Sequence, residues 1–273
     1  MRTSRLESLV ARPPRNHRIY NSHFGGRVDQ ANVVEFYDRY VERQLAGAYN
    51  RRHLILIDRM RGLGLSADSS VREIGCGIGV MTSLLAETVT RGRIVATDIS
   101  PQSVEAASAL NQDASNRIAF RSEPAGDLVQ EREAYDFVCM FDVLEHVPIA
   151  EHETIFAAAR GCMRESGLFV VSIPSPAGIR YLREHQPDAL QPIDHDLEVA
   201  TLTGLASRVG LALHRFEEFD AWQEDQYHLF AFRRVREYLA TPSATPDPSS
   251  PFLMRVRRHL RLRRAFRALS PRR

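Results

Sequence analysis

The chain of 273 residues contains no lysine; all 36 of its basic side chains are arginine. Without that amine there is no Schiff-base chemistry, no pyridoxal-phosphate anchor and no phosphate-loop NTPase, whose signature requires a lysine. Cysteine is nearly as scarce. The three present, Cys76, Cys139 and Cys162, fall in segments that read as loop, strand and helix with no metal-ligand spacing. Reduced core thiols are expected of them, and no metal site is expected. No stretch approaches the roughly 18 consecutive apolar residues of a membrane-crossing helix, and the N-terminal arginines lack the apolar run of a secretory signal behind them. The expectation is a soluble, cytoplasmic protein. Nothing in the sequence specifies an oligomeric state.

Acidic charge is missing from the two ends rather than from the whole. The net charge is +2, yet residues 252–273 hold nine arginines and no acid, and residues 1–18 hold five arginines against one glutamate. The body between them therefore stands at −11. With 44% apolar and 26% charged residues it has the composition of an ordinary globular domain, long enough to bury a sizeable core.

Apolar residues recur at helical spacing from Ala31 to Gly62 (Val34, Tyr37, Val41, then Leu54, Leu56, Ile57, Met60), which predicts two helices. Short β-rich runs follow at Ser70–Ile74, Arg93–Thr97, Arg117–Arg121, Asp136–Phe141 and Gly167–Ile173. Helix-like stretches at Val80–Thr90, Gln102–Asn111 and Ala150–Arg164 separate them. This alternation predicts an α/β protein with a parallel sheet covered by helices on both faces. A helix is expected at Leu202–Val209, then strands at Leu211–Glu218 and Tyr227–Val235 with no helix between, which must pair antiparallel. The proline-rich run Thr241–Pro251 marks the end of this domain. The expected organisation is N-terminal helices over 1–62, the main domain over 63–240, a linker over 241–251 and an arginine-rich tail over 252–273.

The most informative segment is VREIGCGIGV, Val71 to Val80. A strand ends near Ile74, glycines follow at Gly75, Gly77 and Gly79, and a helix begins with Val80. Glycines there let the backbone turn sharply and let a nucleotide-like ligand lie against it. The second strand ends at Asp98, 19 residues past Gly79, where a carboxylate can accept both hydroxyls of a ribose. The NAD fingerprint G-x-G-x-x-G/A fails in both registers, since its last position falls on Val80 or Thr82. An acid, Glu73, precedes the first glycine instead, and a carboxylate-rich rim suits a ligand that carries an ammonium and a sulfonium.

These residues resemble those of the class I S-adenosylmethionine-dependent methyltransferases. The family's E/D-x-G-x-G-x-G is Glu73 to Gly79, its ribose acid is Asp98 in VATDIS, its fourth strand and exit are YDFVCMFDVLEHVP, and GLFVVSIP resembles its fifth strand. The resemblance implies a Rossmann-like, doubly wound sheet of seven strands with the last antiparallel, S-adenosylmethionine as cofactor and S-adenosylhomocysteine as product. It implies that Gly75, Gly77 and Gly79, with Cys76, line the methionine and ribose portions. Asp98, with Ile99 beside it, would take the ribose hydroxyls and the backbone around Met140 and Phe141 the amino group; for the adenine, RSEPAGDL offers Glu123 and Asp127, of which Glu123 is preferred.

The segment after the fourth strand bears on the acceptor. It lacks the D/N-P-P-Y/F/W stretch of enzymes that methylate nucleobase amines and the Pro-Cys nucleophile of cytosine C5 enzymes. DVLEHVP looks like the small-molecule group that includes ubiquinone-pathway O-methyltransferases and natural-product tailoring enzymes. Methylating a hydroxyl requires the acceptor oxygen to be placed in line and its proton removed. His146 and His195 are the candidate bases, a histidine being suited to proton transfer near neutrality. Asp142 and Glu145 are candidates for the substrate pocket, as are Tyr37 and Tyr40 in a region where such enzymes often carry a lid helix. A small-molecule acceptor is expected. The alternative is an RNA-binding protein or RNA methyltransferase, with nucleic acid or an anionic membrane held through Phe252 to Arg273. The acidic body and the missing D/N-P-P-Y favour the first.

Overall fold

A computed structural model describes residues 30–45, 49–127, 132–191 and 193–236. The linker at 241–251 and the tail at 252–273 lie outside the described residues, as does any contact they make.

Strand β1 (Ser70–Ile74) is buried along its whole length, as a strand covered on both faces must be. It pairs in parallel with β2 (Arg93–Asp98) on one side and β4 (Tyr135–Phe141) on the other. Strand β3 (Ile118–Ser122) lies outside β2, and β5 (Met163–Pro174) lies outside β4, both parallel. The last two strands, β6 (Leu211–Phe219) and β7 (Tyr227–Arg234), form the expected antiparallel pair, with β7 inserted between β5 and β6. The order β3-β2-β1-β4-β5-β7-β6 makes a seven-stranded sheet in which β7 alone runs against its neighbours.

Alternate residues of each strand feed two cores. Val71, Ile94, Ala96, Phe137 and Cys139 face helices α2 (Arg51–Gly62) and α3 (Val80–Thr88), where Leu56, Met60 and Leu85 are fully buried. Ile74, Val95, Val138 and Met140 face α5 (Ile149–Cys162) and α7 (Val199–Arg208), among Phe156, Phe169, Leu202 and Phe232. Helix α4 (Pro101–Leu110) follows β2, and Ser100 caps it by accepting from the Ser103 amide. Helix α1 (Gln30–Leu45) packs against α4. All three cysteines are buried, as expected for core thiols.

Two expectations need correction. Position 62 is not a domain boundary, because α2 supplies Leu56, Ile57 and Met60 to the same core as α3. The helix expected to run to Arg164 ends at Cys162, and β5 begins at Met163, which pairs with Tyr135 before an irregularity restores register at Phe137–Leu168. The segment after β5 contains a further helix, α6 (Pro176–His185), started by Ser175 accepting from the Gly178 amide with proline at the first helical position.

In this order the chain moves outward from β1 to β3, then returns to β4 on the opposite side of β1. The crevice at that reversal, beyond the carboxyl ends of β1 and β4, is where ligands of open α/β sheets bind.

Candidate active site

The loop from β1 to α3 is fixed to the end of β2. The Gly75 and Cys76 amides donate to Thr97 O at 2.7 and 2.9 Å, and the Gly77 amide donates to Asp98 Oδ2 at 2.8 Å. Gly75 and Gly79 have φ of +73° and +81°. A Cβ at Gly75 would stand 2.2 Å from Val143, and one at Gly79 would stand 2.7 Å from Asn111 and 2.9 Å from Ala107. The sequence therefore uses glycine because no side chain fits. Above Gly77 the nearest atoms are the amide of Gln44, the end of a flexible side chain, so that cradle is covered by α1 rather than by backbone.

Glu73 does not lie on a charged rim, contrary to expectation. It is 2% exposed, accepts a 2.6 Å hydrogen bond from Thr82 on α3, and burial pushes its carboxyl up to about 8. It latches strand to helix from beneath the loop. Cys76 is buried as well, its thiol pushed far up by burial and by the nearby carboxylates, which denies it a nucleophilic role.

Asp98 faces the crevice with its two oxygens already oriented, one by Gly77 N–H and the other by Ser100 N–H at 2.9 Å. Burial and the neighbouring Asp38 raise its carboxyl, while these amide bonds pull it back. Asp38, on α1, accepts from the Ser100 hydroxyl, so α1 reaches the cofactor side of the crevice. Ile99 is half-buried beside Asp98. Glu123 joins the same wall through its amide, which donates to Asp98 O at 3.0 Å, but its carboxylate is engaged by Arg72. Met140 is fully buried against α5, leaving only its backbone to meet a ligand, whereas Phe141 is half-buried against the opposite core.

A second set of polar groups lies beyond β4. Asp142 adopts φ +55° and pairs with Arg52 of α2. The Tyr227 hydroxyl of β7 accepts from Arg52 Nη1 at 3.0 Å. A single helical turn, Leu144–His146, then carries Glu145 and His146 inward. His146 Nδ1 donates to Ile193 O at 2.8 Å and lies 3.1 Å from Asp194 Oδ1; its Nε2 lies 2.9 Å from the Gln191 amide. That amide presents its nitrogen to a neutral ring or its oxygen to an imidazolium. Although burial works against the charged form, Glu145 and Asp194 hold the His146 ring up at about 9. His195 donates its backbone amide to Glu145 O at 2.9 Å. Its ring meets His152 of α5 edge-on, burial lowers its pKa, and its Nε2 has no hydrogen-bond partner.

Helix α1 spans both halves. Asp38 touches the start of α4, Gln44 covers Gly77, and the Tyr37 hydroxyl donates to Gln191 Oε1 at 3.0 Å, one step from His146. Of the residues singled out from sequence, the structure thus gathers Gly75, Gly77, Gly79 and Asp98 on one side and Tyr37, Asp142, Glu145 and His146 on the other. Glu73 and the Met140 side chain are turned away. Tyr40 lies on α1 with its side chain outside the described residues. Arg52, Gln191, Asp194 and Tyr227 were missed. Only Asp194, next to His195 in the run Ile193-Asp-His-Asp196, carried a local signal; the others are brought in by chain reversals that no nearby residue announces.

Residues 71–167 match a family described as a methyltransferase domain. A curated relative, the ubiquinone biosynthesis O-methyltransferase of Methylobacterium sp. (strain 4-46), is 30% identical over 97 residues, a match that spans 36% of this chain and only 37% of that protein's length. Among solved structures, the magnesium protoporphyrin IX methyltransferase (ChlM) of Synechocystis PCC 6803 with bound SAM superposes with a TM-score of 0.57 at 17% identity, covering 77% of this chain and 99% of that one. The 1,6-didemethyltoxoflavin-N1-methyltransferase of Burkholderia thailandensis also gives 0.57, at 15% identity over 76% of this chain and 87% of its own. At these identities the superpositions speak to fold. They show that the described body has the fold of these methyltransferases, and the family match places a methyltransferase domain over the glycine loop, the first four strands and the start of β5.

Proposed function

We propose that this protein transfers the methyl group of S-adenosylmethionine to a small organic acceptor, at a hydroxyl oxygen. The observation that carries the reading is the roof formed by α1: one helix contacts the Gly77 cradle, the start of α4 and Gln191, so the crevice is closed over on the acceptor side. A folded nucleic acid needs an open, basic approach. Here the acceptor side carries Asp142, Glu145 and Asp194 against Arg52 and His146. The curated relative's name as an O-methyltransferase supports oxygen as the acceptor atom.

S-adenosylmethionine supplies an electrophilic methyl on a sulfonium. The chain's own residues bind and orient. The glycine loop gives close backbone approach, Asp98 accepts the ribose hydroxyls, and the backbone at Met140 and Phe141 receives the amino group. Glu123 can turn to the adenine only by leaving Arg72. On the acceptor side His146 is tied to Asp194, Ile193 O and Gln191, which suits it to fixing the walls rather than to taking a proton. The groups left for that task are Glu145 and, toward the α5 flank, His195 Nε2.

The test is transfer of labelled methyl from S-adenosylmethionine in a mixture of small hydroxylated metabolites and total RNA. Label in a low-molecular-weight, alkali-stable ether, lost in Asp98→Ala, is the expected result. Label in RNA would replace this reading with the nucleic-acid one.

A further inference from the structure

The charges around the exit of β4 do not all pair closely. Arg52 takes Asp142, and His146 takes Asp194. Glu145 has only a longer ion pair, to the same His146, and no hydrogen bond from another residue. It is 1% exposed, both of its oxygens are buried without a hydrogen-bond partner from another residue, and the nearest cation, His146 Nε2, stands 3.7 Å away. An orphaned carboxylate at that depth is costly to fold around and calls for a ligand that donates to it.

Position separates Glu145 from His195, whose Nε2 is also orphaned. The groups that feel Glu145 electrostatically are Arg52 of α2, Asp142 and His146 of the β4 exit, Asp194 of the loop after α6, and Tyr227 of β7. All of them gather beyond the carboxyl ends of the central strands. His195 instead feels Asp194, Asp196, His146 and Arg183, with its ring against His152 on the flank covered by α5. The carboxylate therefore stands over the crevice and the imidazole beside it.

We propose that Glu145 is the proton acceptor of the transfer and that its orphaned oxygens receive the hydroxyl of the acceptor. This rests on the methyltransferase reading above. The acceptor oxygen forms its new bond to the methyl carbon while the carbon–sulfur bond breaks, the electron pair passing to sulfur. The O–H proton passes to the Glu145 carboxylate, and the charge of the sulfonium is neutralised within the site. Burial and the neighbouring Asp142 push the Glu145 carboxyl up to about 8 against the pull of His146, which makes it a far stronger proton acceptor than an ordinary carboxylate.

The test needs no knowledge of the acceptor. Sinefungin carries an ammonium-bearing carbon in place of the sulfonium and its methyl, so it presents a cation where the methyl would go. S-adenosylhomocysteine presents nothing there. Dissociation constants for both are measured by calorimetry, in chelator, on the full chain and on Glu145→Gln and His195→Ala. The ratio of sinefungin to S-adenosylhomocysteine dissociation constants should rise at least tenfold in Glu145→Gln and stay within twofold in His195→Ala. S-adenosylhomocysteine binding itself should be unmoved. In the unaltered protein near pH 7, sinefungin binding should release close to one proton more than S-adenosylhomocysteine binding, read from buffers of different ionisation enthalpy; this arm holds even if the variant does not fold. An unchanged ratio with equal proton counts would overturn the assignment to Glu145 and leave the methyltransferase reading intact. So would millimolar magnesium cancelling the sinefungin preference, since the carboxylate would then belong to a metal. If neither compound bound, both readings would fall.

Discussion

Three groups in this protein hold protons that the unfolded chain would release. Burial lifts Glu73 and Glu145 to about 8 from an ordinary 4.5, and neighbouring carboxylates lift His146 to about 9 from 6.5. In each case the folded value is the higher one, so the associated stability is present at low pH and lost as pH rises through the folded value. The share of the two glutamates should therefore be lost between about pH 4.5 and 8, and that of His146 between about pH 6.5 and 9. Glu73→Gln keeps an oxygen for Thr82 and removes the titration. Its melting temperature should match that of the unaltered protein near pH 5 and exceed it by a few degrees near pH 9, on the order of 1 kcal/mol or more. A parallel decline in both proteins would show that Glu73 ionises normally. Glycines offer a paired comparison. Gly79→Ala forces a side chain into φ +81° and against Ala107 and Asn111, and should cost about 2–4 kcal/mol in urea denaturation. Gly161→Ala, with nothing within 4 Å near the end of α5, should be neutral or stabilise by up to about 1 kcal/mol. The glycine loop was legible residue by residue because its constraint is local. The burial of Glu73 was not, since a carboxylate at a strand end reads the same whether it faces a ligand or a threonine beneath it.

At the scale of elements, α1 is tied down by polar contacts at its ends of the crevice more than by core packing, for among its described side chains only Val41 is buried. Tyr37→Phe removes the hydroxyl that donates to Gln191. Backbone amides of α1 should then exchange with deuterium several times faster, while those of β1 and β4 keep their rates. Equal exchange in α1 would mean that Asp38 and Gln44 alone hold the helix. The helix periods and the strand runs were readable from sequence, because a period of 3.6 or a buried apolar run is a property of neighbours. The junction of α5 and β5 was misread for the opposite reason. Met163 becomes strand by pairing with Tyr135, and Gly167 permits that approach, since a Cβ there would lie 2.8 Å from Tyr135 O. Helix α6 carries a local signal, Ser175 followed by Pro176.

For the whole molecule, ligand binding should register as stability. S-adenosylhomocysteine at 100 times its dissociation constant should stabilise the fold by about 2.7 kcal/mol, and Asp98→Ala should lose most of that gain without lowering the unliganded melting temperature appreciably. A shift with NAD and none with S-adenosylhomocysteine would contradict the assignment. Part of the −11 charge of the body also acquires a location, since three of its carboxylates, Asp142, Glu145 and Asp194, gather with Arg52 and His146 around the exit of β4. What the sequence by itself determined was the alternation of strands and helices, the glycine loop, the acid at the end of β2 and the antiparallel close of the sheet, all set by periodicity, turn geometry and chain connectivity. Only the tertiary structure decided which charges pair. Arg52 reaches Asp142 and Tyr227 across 90 and 175 residues, and Asp194 reaches His146 across 48, so which charges meet at the exit of β4 depends on chain reversals rather than on spacing.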